Sequence, residues 1–262
     1  MTQRLKGKTA IVTGGGGGIG RGCCLRLARE GAAVVVAGPR SENCEQTVKL
    51  VQDAGGQAVF CRTDISQESQ CEKLVQLAVT EFGGLDILVN NAGIFPRATL
   101  EQTSERIWDQ ILAVNLKGPF FLCKLAVPEM RKRGGGSIIN VGSVHGLGGA
   151  GKLFAYSVSK GGLLTLTKNL AVALANDGIR VNYLIPGWVL SDTEIRIQAG
   201  EGHDEDWLRN KASRLAMGRF QTPEDSAAAV AFLASDEAAM LTGSVLNVDA
   251  GYSVRCIGTE DE

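Results

Sequence analysis

The sequence has no marked excess of charge of either sign. Its 262 residues carry 27 Lys plus Arg against 28 Asp plus Glu, a formal net charge of -1. The densest basic cluster is the short run Arg131 to Arg133. Proteins that capture nucleic acid electrostatically present a larger basic stripe or patch. We therefore expect no nucleic-acid partner.

Long apolar runs are also missing. The N-terminal stretch MTQRLKGKTAIV lacks the apolar core of a secretory signal peptide. No stretch of about 18 uncharged apolar residues, the length needed to span a bilayer, is present. We therefore expect a soluble, cytoplasmic protein without a membrane partner.

Histidine is scarce and the cysteines are scattered. His145 and His203 are too few to predict a zinc site, so we expect no metal. The seven cysteines are odd in number and show no CxxC spacing, which favours buried reduced thiols over disulfides. They are Cys23, Cys24, Cys44, Cys61, Cys71, Cys123 and Cys256.

What the sequence does contain is a regular alternation of short apolar runs and longer helical stretches. TAIVT (9–13) and AVVVA (33–37) alternate with helical stretches at 19–30 and 41–54. Seven predicted strands separated by helices indicate a doubly wound α/β fold, a parallel sheet covered on both faces. The other predicted strands are 57–61, 85–90, 137–142, 179–185 and 244–249. The other predicted helices are 67–82, with Ser66 as its cap, 104–133, 155–176 and 223–234.

No linker-like boundary interrupts this rhythm, so we expect one domain over residues 1–262. Residues 190–215 form a polar insertion after the carboxyl end of a strand, where open α/β sheets bind ligands. The insertion is either a substrate lid or a surface excursion. The tail, residues 255–262, is predicted to be disordered.

Residues 13–20 read TGGGGGIG and lie between a predicted strand and a predicted helix. In that context the amides of a glycine loop and the N-terminus of a helix receive a pyrophosphate. The run fits two spacings equally well, G-x-G-x-x-G from Gly15 and T-G-x-x-x-G-x-G from Thr13. On its own it indicates a dinucleotide or phosphate site, with a structural turn as the alternative.

A second set of residues decides which of the two glycine spacings applies. Tyr156 and Lys160 lie four apart in a predicted helix and so share one face. Ser143 ends the preceding strand, and Asn115 lies in the long helix before it. With the glycine loop, N-N-A-G after the fourth strand and Pro-Gly after the sixth, this set resembles the short-chain dehydrogenase/reductase family over roughly residues 5–253. The resemblance implies a Rossmann-type NAD(P)-binding catalytic domain.

The resemblance also implies hydride transfer between a nicotinamide and a secondary alcohol or ketone, with Asn115, Ser143, Tyr156 and Lys160 as the catalytic set. Tyrosine, with an ordinary pKa of about 10, is too weak a base near neutrality by about 4 kcal/mol. An ammonium about 4 Å away offers interaction of the same order at an effective dielectric of about 20. Lys160 is therefore expected to lower the pKa of Tyr156. By resemblance, Lys160 also holds the nicotinamide ribose, Ser143 orients the substrate oxygen and Asn115 holds a water.

Further residues match the family's cofactor contacts. Asp64 is expected to accept from the adenine amino group, with a turn-shaping role as the alternative. Asn90 is expected to be partly structural, and either Ser191 or Thr193 to reach the nicotinamide carboxamide. The expected cofactor residues are Gly14, Gly18, Ile19, Gly20, Arg40, Asp64, Ile65, Asn90, Ala92, Gly93, Tyr156, Lys160, Pro186, Gly187 and Val189.

The end of the second strand selects the nicotinamide cofactor in such folds. A carboxylate there favours NAD, whereas an arginine favours the 2′-phosphate of NADP. The sequence reads VVVAGPR, with Gly38 where NAD-preferring relatives often carry Asp and with Arg40 close behind it. We therefore expect an NAD(P) cofactor and favour NADP, with a solvated loop role for Arg40 as the alternative.

The sequence says less about the substrate. The charged insertion at 190–215 suits a sugar or polyol better than a steroid or long acyl chain. One alternative is a 3-oxoacyl-[acyl-carrier-protein] reductase, whose acidic carrier would contact Arg131, Lys132, Arg133 and Arg180. An alternative of another class is a dinucleotide-binding regulator without turnover.

The resemblance also implies a homotetramer, assembled through the long helices and the last strand. Helix 155–176 has an apolar face that either packs on the sheet or joins that interface. The face consists of Leu163, Leu166, Leu170 and Leu174.

Overall fold

A computed structural model describes residues 3–255 of the chain. Cys256 and nearly all of the predicted tail (255–262) lie outside the described residues, so what the sequence predicts for them stays a prediction.

One sheet of seven parallel strands organises the molecule, as the sequence predicts. The strands are β1 (Thr9–Thr13), β2 (Ala33–Gly38), β3 (Gln57–Arg62), β4 (Ile87–Asn90), β5 (Gly136–Val141), β6 (Ile179–Pro186) and β7 (Val245–Val248). Their order across the sheet is β3-β2-β1-β4-β5-β6-β7. The strands after β1 are added on one side of it up to β3, and β4 then pairs with the other side of β1. This reversal of the strand order opens a crevice at the carboxyl ends of β1 and β4.

Helices cover both faces of the sheet. They are α1 (Gly18–Arg29), α2 (Ser41–Asp53), α3 (Glu68–Phe82), α4 (Glu105–Leu112), α5 (Gly118–Lys132), α6 (Phe154–Leu174), α7 (Asp192–Gly200), α8 (Glu205–Ser213), α9 (Pro223–Ala234) and α10 (Tyr252–Arg255). A π-helical turn, Ala113–Lys117, joins α4 to α5.

Alternate residues of the central strands enter two separate cores. Val34 and Val36 of β2 join α1, α2 and α9 on one face, whereas Val35 joins α3, α5 and α6 on the other. Strands covered on both faces read as nearly continuous apolar runs, which explains these stretches of the sequence. The apolar face of α6 also turns inward, with Leu163 and Leu174 buried.

Helix starts follow the sequence signals in one case and depart from them in another. Thr222 and Asp225 form a capping box before Pro223 at the start of α9. The predicted Ser66 cap of α3 is wrong, because Gln67 occupies the N-cap position. Ser66 instead donates to Asp64 Oδ1 from its backbone N–H (3.0 Å) and its hydroxyl (2.7 Å).

Within residues 3–255, the helical stretch Glu105–Lys132 is long and apolar enough to cross a membrane by length and composition alone. Its inward side chains, among them Leu122, Cys123 and Ala126, are buried in the core. The packing of α5 on the sheet therefore accounts for the apolar composition.

The polar insertion forms two short helices, α7 and α8, which the sequence periodicity did not predict. Ser191 caps α7 by accepting from Glu194 N, and Asp204 caps α8 by accepting from Trp207 N. Both helices follow β6, so the insertion lies beside the crevice.

Candidate active site

A cleft of about 690 Å³ opens at the carboxyl edge of the sheet. Loops that follow each of the first six strands contribute to it. Most of the cofactor and catalytic residues expected from the sequence line this cleft. They are Gly14, Gly18, Ile19, Arg40, Asp64, Ile65, Ala92, Gly93, Ser143, Tyr156, Lys160, Pro186, Gly187 and Val189.

The glycine loop has the shape of an anion cradle. Gly14 and Gly18 have φ of 64° and 49°, in the left-handed region that favours glycine. A Cβ on Gly20 would lie 2.1 Å from Gly14 O, so α1 starts directly beneath the turn. No side chain caps α1, whose N-cap residue is Gly17. The residues at this helix start line the cleft, and a helix N-terminus without a capping side chain fits the pyrophosphate of a dinucleotide.

Thr13 and Asn91 fasten the glycine loop to the loop after β4. Thr13 Oγ1 accepts from the backbone N–H groups of Asn91 and Ala92, each at 3.0 Å, and donates to Val89 O at 3.2 Å. Asn91 Nδ2 donates back to Thr13 O at 2.8 Å. These bonds cross between neighbouring strands, so they fix the two walls of the crevice.

Ser143 and Tyr156 meet at the floor of the cleft. Ser143 Oγ accepts from His145 N at 3.2 Å, and its hydroxyl is hydrogen-bonded to the Tyr156 phenol. Because a backbone N–H occupies one acceptor position of Oγ, the Ser143 proton is directed away from that N–H. Phe95 lies edge-on to Tyr156 at a centroid distance of 5.9 Å, so the phenol has an apolar wall on one side.

Lys160 lies one helical turn beyond Tyr156 and is buried. Nζ donates to Val141 O at 2.7 Å and lies 5.8 Å from the centroid of the Tyr156 ring. Burial lowers the pKa of Lys160 to about 8. Burial also raises the pKa of Tyr156, and the hydrogen bond to Ser143 acts in the opposite direction. The prediction that Lys160 lowers the pKa of Tyr156 is therefore wrong: burial raises that pKa, and the neighbour that acts against burial is Ser143.

Asn115 lies in the π-helical turn, fully buried and behind the cleft. Its Oδ1 accepts from Ile94 N and its Nδ2 donates to Ile94 O, both at 2.9 Å. Nδ2 also donates to Ser159 Oγ at 3.1 Å. The side chain therefore ties the loop after β4 to α6, next to Tyr156 and Lys160. A π turn inserts one extra residue, which is how a side chain of this helix comes to face that loop.

Two further expected residues lie outside the cleft lining. Asn90 is buried and its Nδ2 donates to Asn140 Oδ1 at 2.8 Å, so it joins β4 to β5. Asn140 Nδ2 in turn donates to Thr167 Oγ1 at 2.9 Å. Gly20 lies under the turn rather than on its surface. Asn90 and Gly20 therefore shape the cleft from behind.

The end of the cleft expected to receive the adenosine contains Arg40 and Asp64. Arg40 is exposed at the start of α2, and within residues 3–255 no carboxylate pairs with its guanidinium. Asp64 uses Oδ1 to hold the turn through Ser66 while lining the cleft, so both roles considered for it are compatible with its position. No group of three or more His, Cys, Asp or Glu among the described residues is placed to hold a metal.

The segment after β6 forms the opposite wall. Gly187 N donates to Val248 O at 3.0 Å, and Val189 pairs with Gln221 in an isolated bridge. Ser191 and Thr193 both line the cleft. The Ser191 hydroxyl already accepts from Glu194 N as the helix cap.

Aromatic residues that the sequence did not single out hold α7 and α8 to this wall. Trp188 Nε1 donates to Glu194 Oε1 at 2.9 Å, and the Trp188 ring packs edge-on against Trp207. His203 stacks on Trp207 at 3.7 Å. The isolated tryptophans carry no spacing signal, so their role emerges only in three dimensions.

Arg97 is another cleft residue that the motifs did not reveal. It pairs with Glu201 at the end of α7, which connects the loop after β4 to the insertion. It lies in a segment beside α6, since Ala98 pairs with Leu153 in a parallel bridge. Arg97 therefore adds to the cleft lining a cation that is not part of the catalytic set.

Comparison with known proteins gives matches over almost the whole chain. A family model described as Enoyl-(Acyl carrier protein) reductase matches residues 14–253. An uncharacterized oxidoreductase of Thermotoga maritima is 43% identical over 249 residues, covering 95% of this chain and 98% of the relative. The 3-oxoacyl-[acyl-carrier-protein] reductase FabG of the same organism is 38% identical over 252 residues, covering 96% and 100%.

Two more matches extend the comparison. Dehydrogenase/reductase SDR family member 4 of Sus scrofa is 39% identical over 252 residues, covering 96% of this chain and 89% of the relative. A solved structure of a candidate NAD(P) dependent gluconate 5-dehydrogenase from Beutenbergia cavernae, with NADP bound at low occupancy, superposes with a TM-score of 0.88 at 33% identity. The match covers 97% of this chain and 100% of that one.

Proposed function

Because the chain belongs to the short-chain dehydrogenase/reductase family and is therefore an oxidoreductase of CH–OH and carbonyl groups, we propose that it acts on a sugar or polyol, with NADP as the preferred cofactor. The observation that carries the catalytic assignment is the convergence of Ser143, Tyr156 and Lys160 at the floor of the cleft.

Each of these residues has a role that its position supports. The nicotinamide, when bound, supplies or accepts the hydride. Tyr156 donates a proton to the carbonyl oxygen during reduction and accepts it during oxidation. Ser143 donates a hydrogen bond to the same oxygen. Lys160, with a pKa near 8, is still mostly protonated at neutral pH, so its charge favours the Tyr156 phenolate.

Replacing Tyr156 tests the catalytic assignment. We expect Tyr156→Phe to lower kcat by about 10²–10⁴-fold, the usual effect of losing a general acid–base group. Binding of the nicotinamide cofactor, followed by protein fluorescence, should change little and serves as the folding control. Turnover at the wild-type rate in this variant would contradict the assignment.

The preference for NADP rests on the adenosine end of the cleft. Arg40 lines it without a carboxylate partner among residues 3–255, and Gly38 leaves no acidic side chain at the end of β2. We expect Arg40→Gln to lower kcat/KM with NADP by about tenfold, because a charge-assisted contact to the 2′-phosphate is lost. The value with NAD should stay within about twofold. An equal loss with both cofactors would contradict this role.

A sugar or polyol fits the polar groups at the substrate end. Arg97, His145 and Glu194 line it beside the catalytic set and offer both donors and acceptors to hydroxyl groups. The structural relative is described as a candidate gluconate 5-dehydrogenase, and gluconate is a polyhydroxy acid. Arg97 would suit the carboxylate of such a substrate.

The acyl-carrier alternative is supported by the FabG relative but not by the basic residues named for it. Arg131, Lys132 and Arg133 are paired with Asp177, Glu129 and Asp86. Arg180 donates to Ser235 O from a half-buried position. All four lie near the amino ends of β5 and β6, whereas the cleft lies at the carboxyl ends. A carrier docked on them would be separated from Tyr156 by the length of the strands.

A substrate panel separates the two alternatives. Polyols, sugars and sugar acids should give turnover, measured by nicotinamide absorbance, at a kcat/KM well above that of 3-oxoacyl thioesters. Arg97→Gln should reduce kcat/KM for sugar acids more than for the matching uncharged polyols. The reverse ranking, with 3-oxoacyl thioesters as the best substrates, would replace the sugar or polyol assignment.

We also propose a homotetramer. Val158 and Val172 on α6 are 50% and 84% exposed, and Phe120 on α5 is exposed beside Phe121. Apolar side chains on the outer faces of α5 and α6 support an interface there. Light scattering after size exclusion should give a tetramer for the wild type and a smaller species for Val172→Glu. The exposed Met217, changed to Glu, is the control that should stay tetrameric.

A further inference from the structure

Tyr183 is a fully buried residue of β6 that lies directly beneath the candidate catalytic residues. Its hydroxyl donates to Lys160 O at 2.9 Å. The backbone amide of Ser143 is close enough to the same oxygen to act on the phenol as a donor that lowers its pKa, against the larger effect of burial. One side chain thus contacts the backbone of two residues of the catalytic set, and those residues belong to different elements.

The segment after β5 is shaped to receive this ring. A Cβ on Gly142 would lie 2.0 Å from Tyr183 Cζ, and a Cβ on Gly146 would lie 2.9 Å from Tyr183 Oη. Side chains at these two positions would therefore collide with the phenol. The glycines on either side of Ser143 leave the space that Tyr183 fills.

The remaining surroundings of the Tyr183 side chain are apolar. It is buried with Leu163 and Ile185 in a small apolar cluster between β6 and α6. In apolar surroundings a hydroxyl needs a hydrogen-bond partner, and here that partner is the main-chain carbonyl of Lys160, with the main-chain amide of Ser143 nearby. An apolar residue would fill the cluster equally well, so packing alone does not account for the hydroxyl.

We infer that Tyr183 is a positioning residue that fixes the backbones of Ser143 and Lys160 relative to each other, so that the Ser143 hydroxyl meets the Tyr156 phenol. This inference rests on the proposed function. Ser143 favours the ionised form of Tyr156, as its hydrogen bond requires. If the Ser143 turn loosens, that support weakens and Tyr156 becomes a weaker acid.

Tyr183→Phe tests the bridge because it removes the oxygen and keeps the ring under Gly142. We expect kcat for alcohol oxidation to fall about tenfold, with KM for the cofactor within about twofold. The apparent pKa of the kcat profile should move upward, since the base is then harder to ionise. Ser137→Ala is the control: it removes a buried hydroxyl at the other end of β5, which bonds Leu233 O at 2.9 Å, and should leave the profile unchanged.

Hydrogen exchange gives a second measurement that does not depend on turnover. Amides of residues 142–147 should exchange faster in Tyr183→Phe than in the wild type, and the control variant should not differ there. If exchange rises but no substrate is ever turned over, the proposed function fails and the bridge stands. If exchange and the pH profile both stay as in the wild type, or if kcat falls only with the fraction of folded protein, the inference is overturned.

Discussion

At the scale of single residues, the most connected polar side chains of the crevice are those that hold its walls. Thr13, Asn90 and Asn115 are each buried and each join segments that are distant in sequence. In a buried setting an unpaired amide costs more than the hydrogen bond gains, so such residues tolerate little change. Their contribution is to the shape of the cleft rather than to direct contact with a ligand.

Thr13 provides a direct test of this. Thr13→Val has nearly the same shape but removes the acceptor shared by Asn91 N and Ala92 N. We expect it to lower the free energy of unfolding by about 2–3 kcal/mol, because buried donors lose their partner. Thr13→Ser keeps the oxygen and loses one methyl group, and should cost about 1 kcal/mol. Urea denaturation of the two variants measures the difference, and equal losses would show that the hydroxyl is dispensable.

The sequence predicted the identity of most cleft residues but not the partners of the buried ones. Asn90 and Asn115 belong to recognisable motifs, yet their partners Asn140 and Ile94 come from other strands and loops, which spacing along the chain does not reveal. Tyr183 carries no motif and was not singled out. The pKa of Tyr156 departs from its expected direction for a related reason, since a pairwise estimate with Lys160 leaves out the burial of the phenol.

At the scale of elements, the glycine-rich loop contains a position that requires glycine, Gly20, and one that does not, Gly17. A Cβ on Gly20 would collide with Gly14 O at 2.1 Å and with Asn91 Nδ2 at 2.6 Å. Gly17 has extended backbone, with φ of -170°, and a Cβ there would meet nothing within 4 Å. Gly17, within the run of five glycines, and Gly20, just beyond it, are therefore not equivalent.

This difference predicts opposite outcomes for two neighbouring substitutions. Gly20→Ala should lower the free energy of unfolding by at least about 1–3 kcal/mol, because backbone must move to relieve the contact. Gly17→Ala should be neutral or stabilising by up to about 1 kcal/mol, since it restricts the unfolded chain without strain. Thermal or urea unfolding of both variants provides the measurement. If Gly17→Ala were destabilised, position 17 would have less space for a side chain than its contacts indicate.

The regular elements were predictable because their physical signals are strong. Strands buried on two faces are predominantly apolar. The start of α9 is marked by Thr222 at the N-cap and Pro223 at the first helical position. The helices α7 and α8 were missed because few of their side chains are apolar, so their periodicity is weak. The π turn at Asn115 was missed because one extra residue inside a long helix leaves the surrounding pattern nearly unchanged.

At the scale of the whole molecule, buried titratable groups make stability depend on alkaline pH. The six described cysteines are free, and burial raises the pKa of Cys23, Cys71 and Cys123 to about 12 and that of Cys24 well above its ordinary value. In the unfolded chain these thiols ionise near pH 8.5. Above about pH 8.5 the unfolded state therefore releases protons that the folded state retains, and stability falls as pH rises.

Lys160 acts in the opposite direction. Its folded pKa of about 8 lies below the unfolded value of about 10.4, so the folded state loses its proton first and stability rises with pH between the two values. From about pH 7.5 to about pH 9.5, each of the three thiols with a folded pKa of about 12 costs about 1.4 kcal/mol, and Lys160 returns about 2 kcal/mol. Cys24 adds to the loss in the same direction. The thiols have the larger effect, and we expect stability to fall by at least about 2 kcal/mol over this range.

Two variants with opposite effects test this balance. In urea denaturation under reducing conditions, Cys123→Ala should shrink the loss between the two pH values by about 1.4 kcal/mol, because one buried thiol no longer ionises on unfolding. Lys160→Met should enlarge the loss by about 2 kcal/mol, because the opposing group is gone. Each variant is compared with itself at the two pH values, so the pH-independent effect of the substitution on the free energy of unfolding cancels. Losses equal to that of the wild type in both variants would show that these groups do not set the alkaline limit of the fold.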